Sequence, residues 1–394
     1  MGPWTCWTFD HFELAVVSGE DPGVVGAGGI GRFLRLPLSL DRSAVFGPLG
    51  GDSFCRPGWS SLVRLSESRH NRRERTTVST HEEFAALAEP YRRELLAHCY
   101  RMMGSVHEAE DLVQETYLRA WRGFEKFEGR SSLRTWLYTI ATNACLNERK
   151  QRSRRELPSG LGAAFGDPDA PPEAAGGDVL WLQPIPDTMV TPGPGDPASI
   201  VTSREQLRLA LIASLQKLTP RQRAVYLLRE VLEFPAANVA AMLETSVPAV
   251  KSSLQRARAA LTGLDTTHEK PTEHGVQDLL EQYMTAFEKA DLAALERALR
   301  KDAALEMVGY STWFSGLDTC LRHLARALGS PGTWRMVAVQ ANGQPAAAAY
   351  LRGENGTYDA FGLAVLTVTP GGISRITVFG KEDLLPSFGI PSAL

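Results

Sequence analysis

The stretch Ser203–Leu261, SREQLRLALIASLQKLTPRQRAVYLLREVLEFPAANVAAMLETSVPAVKSSLQRARAAL, reads as helix almost throughout, and its last two helices decide the architecture. Asn238 to Leu243 form a short apolar helix, a four-residue turn follows, and Ser246 stands where an N-cap belongs. Pro248 falls in the first turn of the next helix, where a missing N–H costs little. Val250, Leu254, Ala257 and Leu261 then recur at helical spacing and give one stripe to bury. This is the pattern of a helix-turn-helix. Lys251, Ser252, Gln255, Arg256 and Arg258 are left on faces open to a major groove, the first turns for base edges and the later arginines for phosphates. A solitary amphipathic helix would carry the same charges as a solvated face; the preceding helix and the turn favour DNA.

The whole-chain numbers mask this. The net charge of 394 residues is −3, with a pI near 6.3, yet the charge is segregated. Residues 130–155 hold seven Lys/Arg against one acid, whereas residues 156–203 hold seven acids and no Lys/Arg. Local fields, not the sum, decide what binds. The length suits two or three domains. Five scattered cysteines, Cys6, Cys55, Cys99, Cys145 and Cys320, show no metal spacing and read as free thiols of a reducing cytosol. No apolar run is long enough to span a membrane and no signal-peptide pattern opens the chain, so a cytoplasmic protein without metal or cofactor is expected.

Residues 1–80 lack any sustained period and are expected to be a disordered or non-native N-terminal extension; in the non-native case the shorter product would have to start at a non-Met codon such as that of Val78. GAGGIG at Gly26–Gly31 matches a dinucleotide fingerprint, but no amphipathic helix follows it. Residues 81–155 are helical and form a bundle. Residues 156–203, with nine prolines, form an acidic linker, since a structureless connection that long belongs between domains. Its apolar island, Val179 to Asp187, is too sticky for a pure spacer and is expected to dock. The helix-turn-helix unit occupies 204–264, a short linker 265–274, and 275–394 runs from helices to strands broken by Asn342-Gly343, Asn355-Gly356 and Gly371-Gly372. That order predicts an α+β fold with helices over one face of an antiparallel sheet.

In the first bundle the basic segment Ser131–Arg155 reads as one long helix. Trp136 and Asn143 share a face, and an aromatic with a side-chain amide suits an unstacked base. Arg134, Arg149, Lys150, Arg152, Arg154 and Arg155 are the expected phosphate contacts. Taken by itself, Trp136 is better explained as a core residue. The preceding helix displays Asp111, Gln114 and Glu115 opposite its apolar stripe, as a solvated face or a protein-docking surface.

Taken together, AEDLVQETYLRAW (Ala109–Trp121), SSLRTWLYTIATNACLNERKQRSRR and LTPRQRAVYLLREVLEFPAANVAAMLETSVPAVKSSLQRARAAL resemble, in order, three segments of the extracytoplasmic-function (ECF) sigma factors of the sigma-70 family. The resemblance implies two all-α sigma domains, a region 2 bundle and a region 4 helix-turn-helix, and a function in promoter recognition and transcription initiation rather than an enzyme activity. It implies core RNA polymerase as a partner, through the β′ clamp helices and the β flap, together with promoter DNA. Asp111, Gln114 and Glu115 would bind the polymerase. Arg130 and Ser132, in the loop Gly129–Leu133, and Asn143 would capture a flipped −10 base, with Trp136, Arg149 and Lys150 on the same DNA. Lys251, Ser252 and Arg256 would read the −35 element beside Gln255 and Arg258. Two positions depart from the pattern: Glu244 replaces the usual turn glycine, and Ser253 an arginine common in the recognition helix.

The last 120 residues resemble the SnoaL-like α+β domains of the NTF2-like superfamily, and WLQPIPD and NGQPAAAAY resemble sequences of the mycobacterial sigma-G-like branch. This implies cis regulation, with the apolar tail DLLPSFGIPSAL as the expected contact, and leaves open a small ligand or an anti-sigma factor. Some NTF2-like relatives are enzymes, so Asp302, Glu306, Trp313 and His323 are weighed as catalytic, and a ligand-binding or enzymatic protein with a DNA-binding accessory is the alternative reading. The acidic linker is expected to imitate a nucleic-acid strand in the polymerase channel.

Overall fold

Pro90 and Gly104 punctuate the start of the first bundle, and the structure, a computed structural model, describes residues 83–149, 154–191, 204–262, 272–380 and 382–394. All of these fall in one compact unit; residues 1–80, with Gly26–Gly31, Cys6 and Cys55, lie outside the described residues. Helix α1 (83–88) passes through a 3-10 turn at Glu89–Tyr91 into α2 (Arg92–Met103), which Gly104 ends in the left-handed region at φ 74°. Ser105 Oγ accepts from the Glu108 N–H at 3.3 Å and starts α3 (Val106–Phe124). Ser132 Oγ accepts from the Thr135 N–H at 3.1 Å ahead of α4 (Leu133–Arg149). The sequence predicts that this helix runs on to Arg155. Instead Arg155 opens a two-residue strand, β1 (Arg155–Glu156), paired in parallel with β2 (Leu180–Trp181). Its guanidinium is the reason: it donates to the Trp181 carbonyl and pairs with Glu108, both at 2.7 Å.

The chain between 156 and 191 is therefore not a free spacer. A short helix α5 (Asp187–Val190) closes the WLQPIPD segment, and Leu182 and Ile185 are buried. The acidic part lies along the C-terminal domain: Phe165 N–H donates to the Trp313 carbonyl at 2.7 Å, Glu173 N–H to Thr312 Oγ1 at 2.8 Å, and Asp169 pairs with Arg322 and Arg326. Asp169, one of the acids on which the strand-mimic expectation rests, is thus paired within the chain.

Leu209–Gln216 (α6) leads to α7 (Pro220–Tyr226), entered by a capping box between Thr219 and Gln222 with Pro220 in the first turn. A π-turn, Leu227–Val231, precedes α8 (Ala236–Met242) and α9 (Val247–Leu261). The C-terminal domain follows as α10 (Glu273–Lys289), α11 (Leu292–Ala298), β3 (Leu299–Val308), β4 (Trp313–Ser315), α12 (Leu317–Leu328), β5 (Trp334–Ala341), β6 (Gln344–Arg352), β7 (Tyr358–Thr369) and β8 (Gly372–Phe379). Its sheet order is β4-β3-β8-β7-β6-β5, and the β3–β8 pair is parallel, so the sheet is mixed rather than wholly antiparallel.

Both faces of this sheet are buried. Ala347, Ala364, Leu366 and Ile376 pack with Leu280, Phe287, Leu295 and Leu324 of the covering helices. Ala346, Ala348, Tyr350, Leu363 and Phe379 belong instead to a core shared with Tyr100, Ile185 and Leu207 of the helical units and their connection. That explains why PAAAAY shows no polar alternation. Leu384 and Leu385 of the tail are buried as well, and Tyr358 and Leu394 exchange backbone hydrogen bonds, so the tail docks on β7 of its own sheet.

Candidate nucleic-acid and polymerase interfaces

On α9, Ser246 Oγ accepts from the Ala249 N–H at 3.3 Å, and Val250, Ser253, Leu254, Ala257 and Leu261 face the core. Lys251, Ser252, Gln255, Arg256 and Arg258 are exposed. Lys251, Ser252, Gln255 and Arg256 share the outward face, and Arg256 donates to Ser252 Oγ at 2.7 Å. Arg258 sits at the seam, 2.8 Å from Glu230, and its charge is already partnered. Ser253 is buried, so no arginine at that position would point outward here. Glu244 takes the turn's left-handed conformation, φ 48°, which glycine adopts without strain.

The region around α4 is less open. Arg130 is exposed and pairs with Glu128 at 3.2 Å, and Ser132 caps the helix. Trp136 is half-buried and stacks on Phe127 with centroids 4.8 Å apart. Asn143 Nδ2 donates to the Met242 carbonyl at 3.4 Å, placing the end of α8 against the face that Asn143 shares with Trp136. Arg134 makes a double hydrogen bond to Glu94 and lies over Tyr138 and Phe234, at 5.0 and 5.2 Å from the ring centroids. It is not free for a phosphate, and neither is the buried Arg155; Arg154 pairs with Glu156. The Arg149 side chain, Lys150 and Arg152 lie outside the described residues.

Under α4, His98 Nε2 is 3.0 Å from Thr142 Oγ1, and burial, with Arg101 and Arg134 nearby, pushes its pKa down to about 3. Asp111 and Gln114 are exposed on α3, while Glu115 is held by Arg119 at 2.6 Å. The same flank exposes Leu118 by 47% and Trp121 by 44%, a pair of large apolar side chains that the sequence reading passed over.

Residues that join the modules were also missed. Asn342, at the turn between β5 and β6, is fully buried with φ 57°. Its Oδ1 accepts from the Ile185 N–H at 3.0 Å, and its Nδ2 donates to the Tyr100 hydroxyl at 2.7 Å and the Leu207 carbonyl at 2.8 Å. Next to it Gly343 N–H donates to Asp187 Oδ1 at 2.7 Å, and Gln344 Oε1 accepts from the Leu209 N–H at 2.9 Å. Arg223, 1% exposed, donates to the Leu215 carbonyl at 2.7 Å and Gln216 Oε1 at 2.8 Å, and reaches the Met102 carbonyl of α2. A turn dipeptide is legible as a turn; nothing local marks it as an interface.

Of the four residues weighed as catalytic, Glu306 and Trp313 stand opposite each other in the β3–β4 register, and each of the four is engaged within the fold. Asp302 is exposed and paired with Arg300 at 2.8 Å; Glu306 is buried against Arg375; Trp313 Nε1 donates to the Gly162 carbonyl at 3.0 Å; His323 packs on Phe314 with ring centroids 4.5 Å apart. Among the described residues no cluster suits a metal ion and no helix is long and apolar enough to cross a membrane.

Residues 87–155 match the family model Sigma-70 region 2, and residues 208–261 match Sigma-70, region 4. Over 318 residues, 79% of this chain and 85% of the relative, the sequence is 47% identical to the ECF RNA polymerase sigma factor SigG of Mycobacterium tuberculosis. It is 31% identical to SigW of Bacillus subtilis over 181 residues, 46% of this chain and 87% of that one. The crystal structure of the M. tuberculosis ECF sigma factor SigJ aligns with a TM-score of 0.47 at 23% identity, covering 79% of this chain and 99% of that one.

Proposed function

Because the chain belongs to the ECF sigma-70 family of RNA polymerase sigma factors, we propose that it works in the cytoplasm as a promoter-selecting factor whose C-terminal domain holds a closed form. Region 2 docks on core polymerase through Asp111, Gln114 and Glu115, with Leu118 and Trp121 completing the surface. Region 4 reads the −35 element with Lys251, Ser252, Gln255 and Arg256, while Arg258 stays in an intramolecular pair. Arg130, Ser132, Trp136 and Asn143 serve the −10 strand.

The observation that carries the closed-form reading is the contact between the two DNA-binding units. Asn143 is engaged by the end of α8 and Arg134 lies over Phe234, so α4 and the helix-turn-helix are folded on each other. Reading two promoter elements at once needs them apart. Asn342 supports the folded arrangement by bonding α2, the connection and the entry to α6 together. Polymerase binding then shifts the population toward an open form, to the extent that it prefers that form.

The test is a pull-down with core polymerase. The Asp111/Gln114/Glu115 triple alanine variant is expected to stay folded by circular dichroism and to lose core binding. Undiminished assembly of that variant would remove the docking assignment.

A further inference from the structure

A cavity of about 410 Å³ lies where the segment leading into α6 crosses the C-terminal domain, between the first turn of α10 and the β5–β6 turn. Its size is in the range of small-molecule sites. Arg204 and Arg208 line one side, and Gln277 and Gln340 the other. Gln344 is a wall, since its amide is already committed to Leu209, Leu366 and Thr367.

Both arginines carry a buried Nε that has no hydrogen-bond acceptor among the described residues. The nearest carboxylate to Arg204 is Asp187, with Oδ2 3.9 Å away, too far for a hydrogen bond. Buried donors without acceptors are rare in folded proteins, and a guanidinium answers best to a carboxylate or phosphate. Val276, Leu366 and Val368 make the remainder apolar. Glu273 in the lining and Asp187 behind Arg204 balance the two guanidinium charges, so a monoanion leaves the site with one net negative charge and a dianion with two, which favours the monoanion.

We infer that this cavity binds a small monocarboxylate with an apolar tail, its carboxylate on Arg208 and Arg204 and its tail along Val276, Leu366 and Val368. Arg204 and Arg208 stand at the start of the region 4 unit, while Gln277 and Gln340 belong to the C-terminal domain. A ligand gripped by both stabilises the arrangement that joins them, increasingly as its concentration exceeds its Kd. The site itself stands on the cavity alone; its regulatory consequence rests on the closed form proposed above.

Isothermal titration of the full chain with straight-chain carboxylates from butanoate to decanoate tests this. Saturable binding at one site per chain is expected for at least one of them, weakened about tenfold or more by Arg208→Gln. The primary amide of the same chain length is expected not to bind. Val276→Phe, which fills the cavity and leaves the arginines in place, is expected to abolish the heat, so the outcome does not depend on one variant folding. No saturable binding across the series, or equal binding by Arg208→Gln and Val276→Phe, overturns the site; tighter binding of inorganic phosphate overturns the carboxylate. Asn342→Ala is expected to weaken the carboxylate several-fold, and an unchanged affinity there overturns the coupling while the site remains.

Discussion

Asn342 donates from Nδ2 to the Tyr100 hydroxyl at 2.7 Å, joining residues 242 positions apart in the chain, and Tyr100 in turn donates to the Gln183 carbonyl at 2.8 Å. A strand turn of the C-terminal domain thus completes a hydrogen-bond chain that begins in region 2 and passes through the connection. Polar networks of this kind are costly when only partly satisfied.

Asn342→Ala should therefore open the protein. It leaves the Ile185 N–H and the Leu207 carbonyl without their side-chain partner, at about 1–3 kcal/mol for each buried group left unpaired. Small-angle scattering should show a larger radius of gyration, and thermal unfolding should separate into more than one transition. A single transition at the wild-type temperature would count against the closed form.

Gly343→Ala tests the same contact without removing a polar side chain. The backbone there has φ 65°, and the Arg204 carbonyl occupies the space a Cβ would need. Left-handed strain alone costs about 1–2 kcal/mol, and the close approach adds to it. Limited proteolysis should become faster in this variant, whereas Gly356→Ala, also at positive φ but with open space around it, should leave that contact intact.

On DNA, Lys251→Ala and Arg256→Ala should each weaken promoter binding by about 1–3 kcal/mol where a base edge is read. Arg258→Ala should change it less, because that side chain is held by Glu230. Equal losses at all three positions in a mobility-shift series would redraw the reading face. Asn143→Ala should slow strand opening in permanganate footprints; normal melting would exclude a base-capturing role.

The buried His98 makes stability fall in acid. Its folded pKa is pushed down to about 3, below its ordinary value near 6.5, so the unfolded chain binds the extra proton between those values. Stability from keeping this ring neutral is fully present above pH 6.5 and is lost progressively as pH falls toward 3, by about 2 kcal/mol at pH 5. Urea denaturation of wild type and His98→Gln at pH 7.5 and pH 5 checks this: the variant should show the smaller pH dependence. Equal slopes would place the acid sensitivity elsewhere.

Periodicity and capping were enough to place the helical units and their outward charges. Ser246, Ser132 and the stripe from Val250 to Leu261 act within a turn or two of their own position, and such interactions are written locally. Segregated charge marked the basic helix as well, but not the partners of its arginines. Whether Arg134 meets a phosphate or Glu94, whether Asp169 imitates a strand or neutralises Arg322, and whether Asn342 merely turns a chain or ties three modules depend on contacts between distant segments. The doubly buried sheet accounts for the Asn342 contact: its second face had to be covered, and the helical units and the WLQPIPD segment cover it. Period and propensity report which side chains need burial; only packing decides against what.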